Sequence, residues 1–535
     1  MEQLFFKTAR EFLDSGSTLQ PFHPFPTGTE REFYDNLPRE LRDRLIKHGE
    51  AYLGFSYPTL RATDFMAYHR TGNRVDYEDI FFARRYALNT LVVAECLEDQ
   101  GRFLDDIING IFALCEESAW QLPAHNSYLR GAPSELLPDV TRPVLDLFSC
   151  ETGALLACIY YLLKDKLDGV SSFITKRIRL ELEQRILTPY LEEHFWWMGD
   201  GNEPMCNWTP WCTQNVLLTA FLTGCSEETG RRILQKAAAS CDAFLKDYGE
   251  DGCCDEGAHY YRHAGLCLDG AFGVLDQITG GAFAELMERD KIKNIAAYIY
   301  HVHVDDKYYF NFADCSPIVG RAGVREYLFG KHTGQPELMA FAAEDLRASE
   351  AELFADESHQ LNLFYRLQTL FFYQEVMDFA FSKPALHQDI YYPSVGLFLS
   401  RNSAFALAVK AGDNDDSHNH NDVGSFILYK TGQPIFVDIG VESYTQKTFS
   451  NRRYEIWTMQ SGYHNLPTIE GLDQHEGAAF CADKVETSMD TALSSISMEL
   501  SGAYPFSAAK PSYRRQVAFD KKRKPHHPHG YYRKQ

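Results

Sequence analysis

From about residue 35 to residue 375 the apolar positions recur at helical spacing, in blocks of ordinary helix length separated by Gly, Pro, Asn and Asp. The pattern predicts helices at 80–98, 103–118, 144–165, 172–193, 211–223, 228–246, 260–279, 284–303 and 361–380, with faces rich in Leu, Ile, Ala and Tyr. No segment recurs at fixed length, which argues against a TPR or HEAT array. Successive hairpins of unequal length instead predict an (α/α) toroid whose rim loops line a cleft. After about residue 388 the period falls to two, in VGLFLSRN, SAFALAVKAG, SFILYK, PIFVDIG, TALSSISMEL and RRQVAFD. The expected fold is therefore multidomain α+β, an N-terminal (α/α) toroid followed by an antiparallel β-sandwich. Its expected divisions are an N-terminal extension over 1–79, the toroid over 80–380, the sandwich over 388–519 and a basic tail over 520–535. That tail, ending KKRKPHHPHGYYRKQ, is too polar and Pro-rich to bury a core and is expected to be disordered. The sandwich accordingly reads as incomplete, and His526, His527 and His529 read as surface residues, not ligands.

At 535 residues the chain is too long for one core and calls for two or three domains. Its formal charge of −22 argues against nucleic acid or an anionic membrane surface as partner. An acidic sugar is not excluded, provided the cleft is locally basic, and a homo-oligomer stays open. The opening MEQLFFKTAREFLDSGS lacks the basic and apolar regions of a signal peptide. No apolar run reaches the roughly 20 residues of a membrane span. Thirteen cysteines without CxxC pairs read as reduced thiols, so the expected location is the cytoplasm.

Three inter-helix loops carry unusual residues. EESAWQLPAHN holds Trp120 and His125, MCNWTPWCTQN holds Asn207, Trp208 and Trp211, and DGCCDEGAHYYRH holds Glu256, His259, Tyr260, Tyr261 and Arg262. Aromatic faces beside hydrogen-bonding groups suit a sugar subsite. Helix-end packing explains any one such loop; three together point to a site, because loops tolerate functional residues that cores do not.

The richest chemistry lies between Ser417 and Gly471. SHNHNDVGSFILYKTGQPIFVDIGVESY is followed by SGYHNLPTIEG, so His418 and His420 are two residues apart, Asp438 ends a strand, and His464 arrives after a polar crossing that carries Tyr444 and Tyr454. Two imidazoles and a carboxylate on neighbouring strands suit a three-ligand zinc site, with manganese or iron compatible by residue type. The same histidines could equally satisfy loop carbonyls.

This series resembles the C-terminal sandwich of the heparinase II/III-like polysaccharide lyases, whose motif runs H-x-H-x-D-x-G-x-F, then Asp-x-G, then His-Asn. The resemblance implies that His418 is a catalytic histidine facing the cleft, and that His420, Asp438 and His464 hold a structural zinc. The H-x-H loop must then twist to separate the two rings. It extends to the toroid through E-G-x-x-Tyr, matched by Glu256, Gly257 and Tyr260, which makes Tyr260 the catalytic tyrosine with Tyr261 its one-residue rival. The family's Asn-His pair reads Asn207-Trp208 here. Either His125 or His259 supplies the missing imidazole, or the site works with one histidine fewer, or activity is lost.

The implied reaction is β-elimination on a uronate-containing oligo- or polysaccharide. Asn207 would stabilise the enolate-like carboxylate, with His125 or Arg262 nearby. Tyr260 would protonate the leaving oxygen and, in a syn geometry, also remove the C5 proton. His418 is the base in the anti case and tunes the tyrosine in the syn case. Trp120, Trp208, Trp211, Glu256, His259, Tyr444 and Tyr454 are candidates to line the sugar site. Two alternatives remain: a toroid glycoside hydrolase recruiting Glu117, Asp146, Glu151 and Glu256, and a catalytically silent glycan-binding protein.

Overall fold

The computed structural model describes residues 3–199, 202–349, 361–380, 389–506 and 511–522. The expected basic tail lies, from residue 523 on, outside the described residues. The helical part divides into two kinds of helix. Val75–Glu98, Leu147–Val170, Trp208–Leu222, Gly265–Ile278 and Leu363–Asp378 are apolar on most of their circumference; in Trp208–Leu222 every residue after the first is buried. A helix covered on all sides must sit inside a layer of others. Leu104–Cys115, Ser172–Leu182, Glu227–Asp247 and Asp290–Val302 bury a single stripe, as Ile233, Leu234, Ala237, Ala238, Cys241 and Phe244 do in the third. The first kind forms an inner ring and the second an outer one, which is the (α/α) toroid.

The inner ring closes on itself. Leu147–Val170 packs on Trp208–Leu222, which packs on Gly265–Ile278; the circuit returns through Val324–His332 and Leu363–Asp378 to Leu147–Val170. Polar side chains complete the closure across the ring. The Arg366 guanidinium donates to Asn89 Oδ1 and Thr90 Oγ1 at 3.0 Å each, and Asn362 Nδ2 donates to Asn215 Oδ1 at 3.0 Å. Buried polar groups of this kind stabilise only when paired, so they select one arrangement of the helices.

Most expected helices form, with shifted ends. The expected 260–279 helix is broken: a short turn Gly257–Tyr261 stops and Gly265–Ile278 begins after Ala264, whose φ/ψ of −94°/−83° is not helical. The expected 172–193 helix passes through a π turn at Glu183–Leu187. The region before residue 80 forms four helices, Leu4–Asp14, Arg31–Asn36, Arg39–Glu50 and Ala62–Thr71, none of them foreseen individually, and Phe5, Leu41 and Leu45 join the main core. Leu147–Val170 is also long and apolar enough to cross a membrane, against the expectation that no run would be, but 78% of its most apolar window is buried within the protein. None of the thirteen cysteines, all of them within the described residues, is in a disulfide.

The C-terminal part holds an antiparallel five-stranded sheet, ordered Asp389–Tyr392, Leu397–Arg401, Phe405–Lys410, Phe426–Lys430 and Gln433–Phe436, and a three-stranded sheet of Asp483–Met489, Leu493–Glu499 and Arg514–Asp520. The period of two places Phe398, Leu407 and Val409 in a core shared with Ile496, Met498 and Phe519 of the smaller sheet. The intervening Leu397, Leu399, Ala408, Ile427 and Tyr429 face the helical core instead. The central strands Leu397–Arg401 and Phe405–Lys410 are thus covered on both faces, which accounts for their continuous apolar runs, while the edge strand Gln433–Phe436 is exposed. Arg401 fastens the seam through Nη1 to the His303 carbonyl at 2.7 Å.

Candidate active site

Helical ring and sandwich meet at a cluster built from five segments. The turn at Gly257–Tyr261 presents Glu256 and Tyr260; the loop before Trp208–Leu222 presents Asn207. The loop after the short strand Asp413–Asn414 presents His418 and His420, and the crossing after Phe436 presents Tyr444 and Arg453. At their centre stands Asp314, from a toroid segment that follows a small hairpin of His303–Asp305 and Tyr308–Tyr309.

Asp314 is buried and accepts four donors. Its Oδ1 takes His420 Nε2 at 2.9 Å and Arg453 Nη2 at 2.6 Å; its Oδ2 takes His418 Nδ1 at 2.8 Å and the Tyr444 hydroxyl at 3.2 Å. Burial alone would raise this carboxyl, but the bonds from His418 and His420 and the Arg453 charge outweigh it and hold Asp314 well below the usual carboxylate range. His418 is fixed on its other side too, with Nε2 3.1 Å from Glu256 Oε2. Burial works against its charge, yet the two flanking carboxylates push the imidazole up to about 9. Its backbone has φ +58°, the left-handed region that a β-carbon resists, and this is the twist the H-x-H pair requires. The two rings do not part company; they straddle one carboxylate.

Tyr260 lies with its ring centroid 4.2 Å from that of His418 and its hydroxyl 2.6 Å from the Tyr444 hydroxyl. Burial pushes the phenol above its ordinary value. The rival Tyr261 is fully buried and donates to the Ala296 carbonyl at 3.0 Å, so it packs in the core. Adjacent helical residues point about 100° apart, and only one of the pair can face the cleft. Glu256 accepts Asn207 N at 2.8 Å and also the Asn207 side-chain amide. Asn207 therefore stands beside His418 through Glu256, while its Oδ1 is buried without a partner.

Other foreseen residues spread more widely. His259 lies 5.4 Å from Tyr260, centroid to centroid. His125 rests 4.7 Å from the Trp208 ring, so an imidazole does stand beside the tryptophan, with Nδ1 2.7 Å from Asp146. Trp211 stacks on His263 at 3.8 Å and donates to Glu151 at 2.9 Å. Tyr454 accepts from Asn419 at 3.0 Å on the loop between the two histidines. Trp120 and Arg262 are turned inward: Trp120 donates to the Leu114 carbonyl at 2.9 Å, and Arg262 donates to the Val319 and Arg321 carbonyls. Of the hydrolase carboxylates, Glu117 pairs with Arg84 at 3.0 Å and Arg85 at 2.7 Å, and Asp146 caps the helix at Leu147 through Ser149 N at 2.7 Å. Asp314 and Arg453 were not foreseen. The only sequence signal for Asp314 is a lone carboxylate in the apolar run YYFNFADCSPIV, which carries no spacing motif.

Behind His418, ligand atoms of His420, Asp438 and His464 all lie within 4.8 Å of one another, and all three residues are buried. His464 Nδ1 is 2.8 Å from Asp438 Oδ2, and its Nε2 is 3.1 Å from the Thr458 carbonyl. His420 Nδ1 is buried and has no hydrogen-bond partner among the described residues. A bare imidazole nitrogen beside a carboxylate and a second imidazole, each ring anchored through its other nitrogen, fits a divalent metal of zinc type.

A closed ring of helical hairpins against an antiparallel sandwich, with a tyrosine from one and a histidine loop from the other, defines the toroid-plus-sandwich class. Residues 384–524 match the family model described as Heparinase II/III-like, C-terminal, so the resemblance carried by the histidine motifs stands. Among solved structures the chain is similar to a heparinase III gene product, at 14% identity and a TM-score of 0.53, over 96% of this chain and 72% of that one. A crystal structure of heparinase III gives 12% identity and a TM-score of 0.53, over 97% and 76%. At such identities the likeness is one of fold. No curated protein sequence matches the chain.

Proposed function

We propose that the protein is a polysaccharide lyase that cleaves a uronate-containing glycan by β-elimination. The observation that carries the reading is the close, tilted packing of Tyr260 against His418 at the seam of ring and sandwich, with Asn207 tied to the same cluster through Glu256. The two heparinase III structures similar to this chain carry names that support an acidic glycan as the substrate.

Both His418 nitrogens are engaged by carboxylates, whereas among the described residues the Tyr260 hydroxyl meets another hydroxyl alone. This favours the syn reading. Ionised Tyr260 takes the proton from C5; the C4–O4 bond breaks as the C4=C5 double bond forms; the phenol then returns its proton to the leaving oxygen. His418 orients the Tyr260 ring, and Asn207 and Glu256 hold His418. His420, Asp438 and His464 would hold zinc in a structural role, fixing the loop that presents His418. Because burial raises the phenol, ionised Tyr260 is scarce at neutral pH, and turnover should climb as pH rises into the alkaline range.

The test is ultraviolet absorbance of the new conjugated double bond on a panel of uronate oligosaccharides. Wild type should produce it, and Tyr260→Phe should lose about 10²- to 10⁴-fold in kcat. New reducing ends without the absorbance would point to a hydrolase. Binding with neither signal would point to a silent binder.

A further inference from the structure

The four donors on Asp314 belong to two different devices. His420 is a candidate metal ligand, and Arg453 pins the loop beside it, donating through Nε to the Asn419 carbonyl at 3.0 Å and through Nη1 to the Thr448 carbonyl at 2.9 Å. His418 and Tyr444 belong to the reacting end, where Tyr444 meets the Tyr260 hydroxyl. The devices use different oxygens of the same carboxylate, Oδ1 for the first and Oδ2 for the second. Asp314 itself comes from the helical side of the seam, although both histidines come from the sandwich.

We infer that Asp314 is a positioning residue that couples the metal site to the catalytic histidine and tyrosine, so that metal binding sets the geometry of His418; the catalytic half of this statement rests on the lyase reading. The argument is one of donors and acceptors. A carboxylate has about four lone-pair sites, and here four donors meet them. By accepting from His420 Nε2, Asp314 places the proton there and leaves Nδ1 as the nitrogen with a lone pair for a metal shared with Asp438 and His464. The same arrangement of carboxylate, histidine and metal tunes ligands in zinc proteins generally. By accepting from His418 Nδ1 on its other oxygen, it holds a left-handed residue in place. Any shift of His420 on metal loss therefore moves the carboxylate, and His418 with it.

Asp314→Asn separates the two devices. An amide presents one oxygen and one NH2 group, so whichever way it turns, one pair of donors faces a donor. Zinc affinity, measured by competition with a chromophoric chelator, should fall about 10- to 100-fold, and kcat should fall with little change in KM. In wild type labelled at histidine and stripped of metal, the His418 imidazole resonances should shift on titration with zinc; in Asp314→Asn they should not follow zinc. Tyr444→Phe removes a donor only from the catalytic side and should keep zinc affinity within about threefold. The inference is overturned if the His418 signals of wild type ignore zinc, or if Asp314→Asn binds zinc as wild type does. Should Asp314→Asn fail to fold, the wild-type titration decides alone. Neither readout needs turnover, so a protein that eliminates nothing on any uronan would sink the lyase reading and leave the coupling to be judged on zinc and resonances.

Discussion

Gly257 opens the turn of the E-G-x-x-Tyr motif, directly after Glu256, and the structure gives a physical reason for a glycine there. Its φ is +86°, and a β-carbon built on it would stand 2.5 Å from the Phe312 carbonyl oxygen and 3.1 Å from Cys315 Cβ. The turn bearing Glu256 and Tyr260 thus lies directly on the segment bearing Asp314. In Gly257→Ala the left-handed backbone costs about 1–2 kcal/mol. An ordinary C···O contact is about 3.3–3.6 Å, so the two segments must also separate by roughly 1 Å. Overpacking of that size costs about 1–3 kcal/mol. The sum, about 2–5 kcal/mol, is a large part of the 5–15 kcal/mol, roughly, that holds a folded domain together. Gly273, inside the helix Gly265–Ile278, is the control: no atom lies within 4 Å of its built β-carbon and its φ is not positive. Gly273→Ala should stabilise by about 0.5–1 kcal/mol, the helical preference of Ala over Gly. Urea denaturation followed by circular dichroism gives both values. Turnover of the folded Gly257→Ala protein should also fall, because Tyr260 and Asp314 move apart. A Gly257→Ala protein within about 0.5 kcal/mol of wild type and with unchanged turnover would refute the claim that close approach of these segments requires the glycine.

Two further outcomes follow from buried charge. Glu117→Gln leaves the Arg84 and Arg85 guanidinium groups buried without their carboxylate, and should cost about 3–5 kcal/mol in the same denaturation assay; a loss under about 1 kcal/mol would show that the ring tolerates the unpaired charges. Asp255 is pushed up to about 7, first by burial and then by the nearby Glu256 and Asp416 charges. The native state therefore binds this proton up to a higher pH than the unfolded chain, whose carboxyl titrates near about 4. Its contribution to stability is fully present at lower pH and is lost as pH rises from about 4 to about 7. Asp255→Asn, permanently neutral and still able to accept from Ser417 N, should gain on wild type across that window; a stability difference independent of pH would contradict the assignment.

Much of the architecture was legible in order along the chain, because periodicity is a local property. The switch from 3.6 to 2 near residue 388 marks the passage from helices to strands, and Leu147–Val170 and Trp208–Leu222 announce by their near-continuous apolar faces that they lie inside others. The candidate metal ligands were legible as well, through the H-x-H, Asp-x-G and His-Asn motifs, although His420 lies in a loop and His464 follows the short turn Ser461–Tyr463. Tyr260 was legible only with its neighbour Tyr261 as rival. A one-residue choice is a rotation of about 100° on a helix; the turn sets Tyr261 against the Ala296 carbonyl and Tyr260 against the Tyr444 hydroxyl. Trp120 and Arg262 show the opposite case, residue types suited to a sugar site that found partners in nearby carbonyls instead. Asp314 was beyond the reach of sequence. It stands about a hundred residues from His418 and His420, and nothing in its own neighbourhood distinguishes it from a loop aspartate. Periodicity and spacing report on contacts within a turn or a strand pair. A carboxylate that gathers donors from across the seam of two domains acquires its meaning only when the ring closes and the sandwich docks against it.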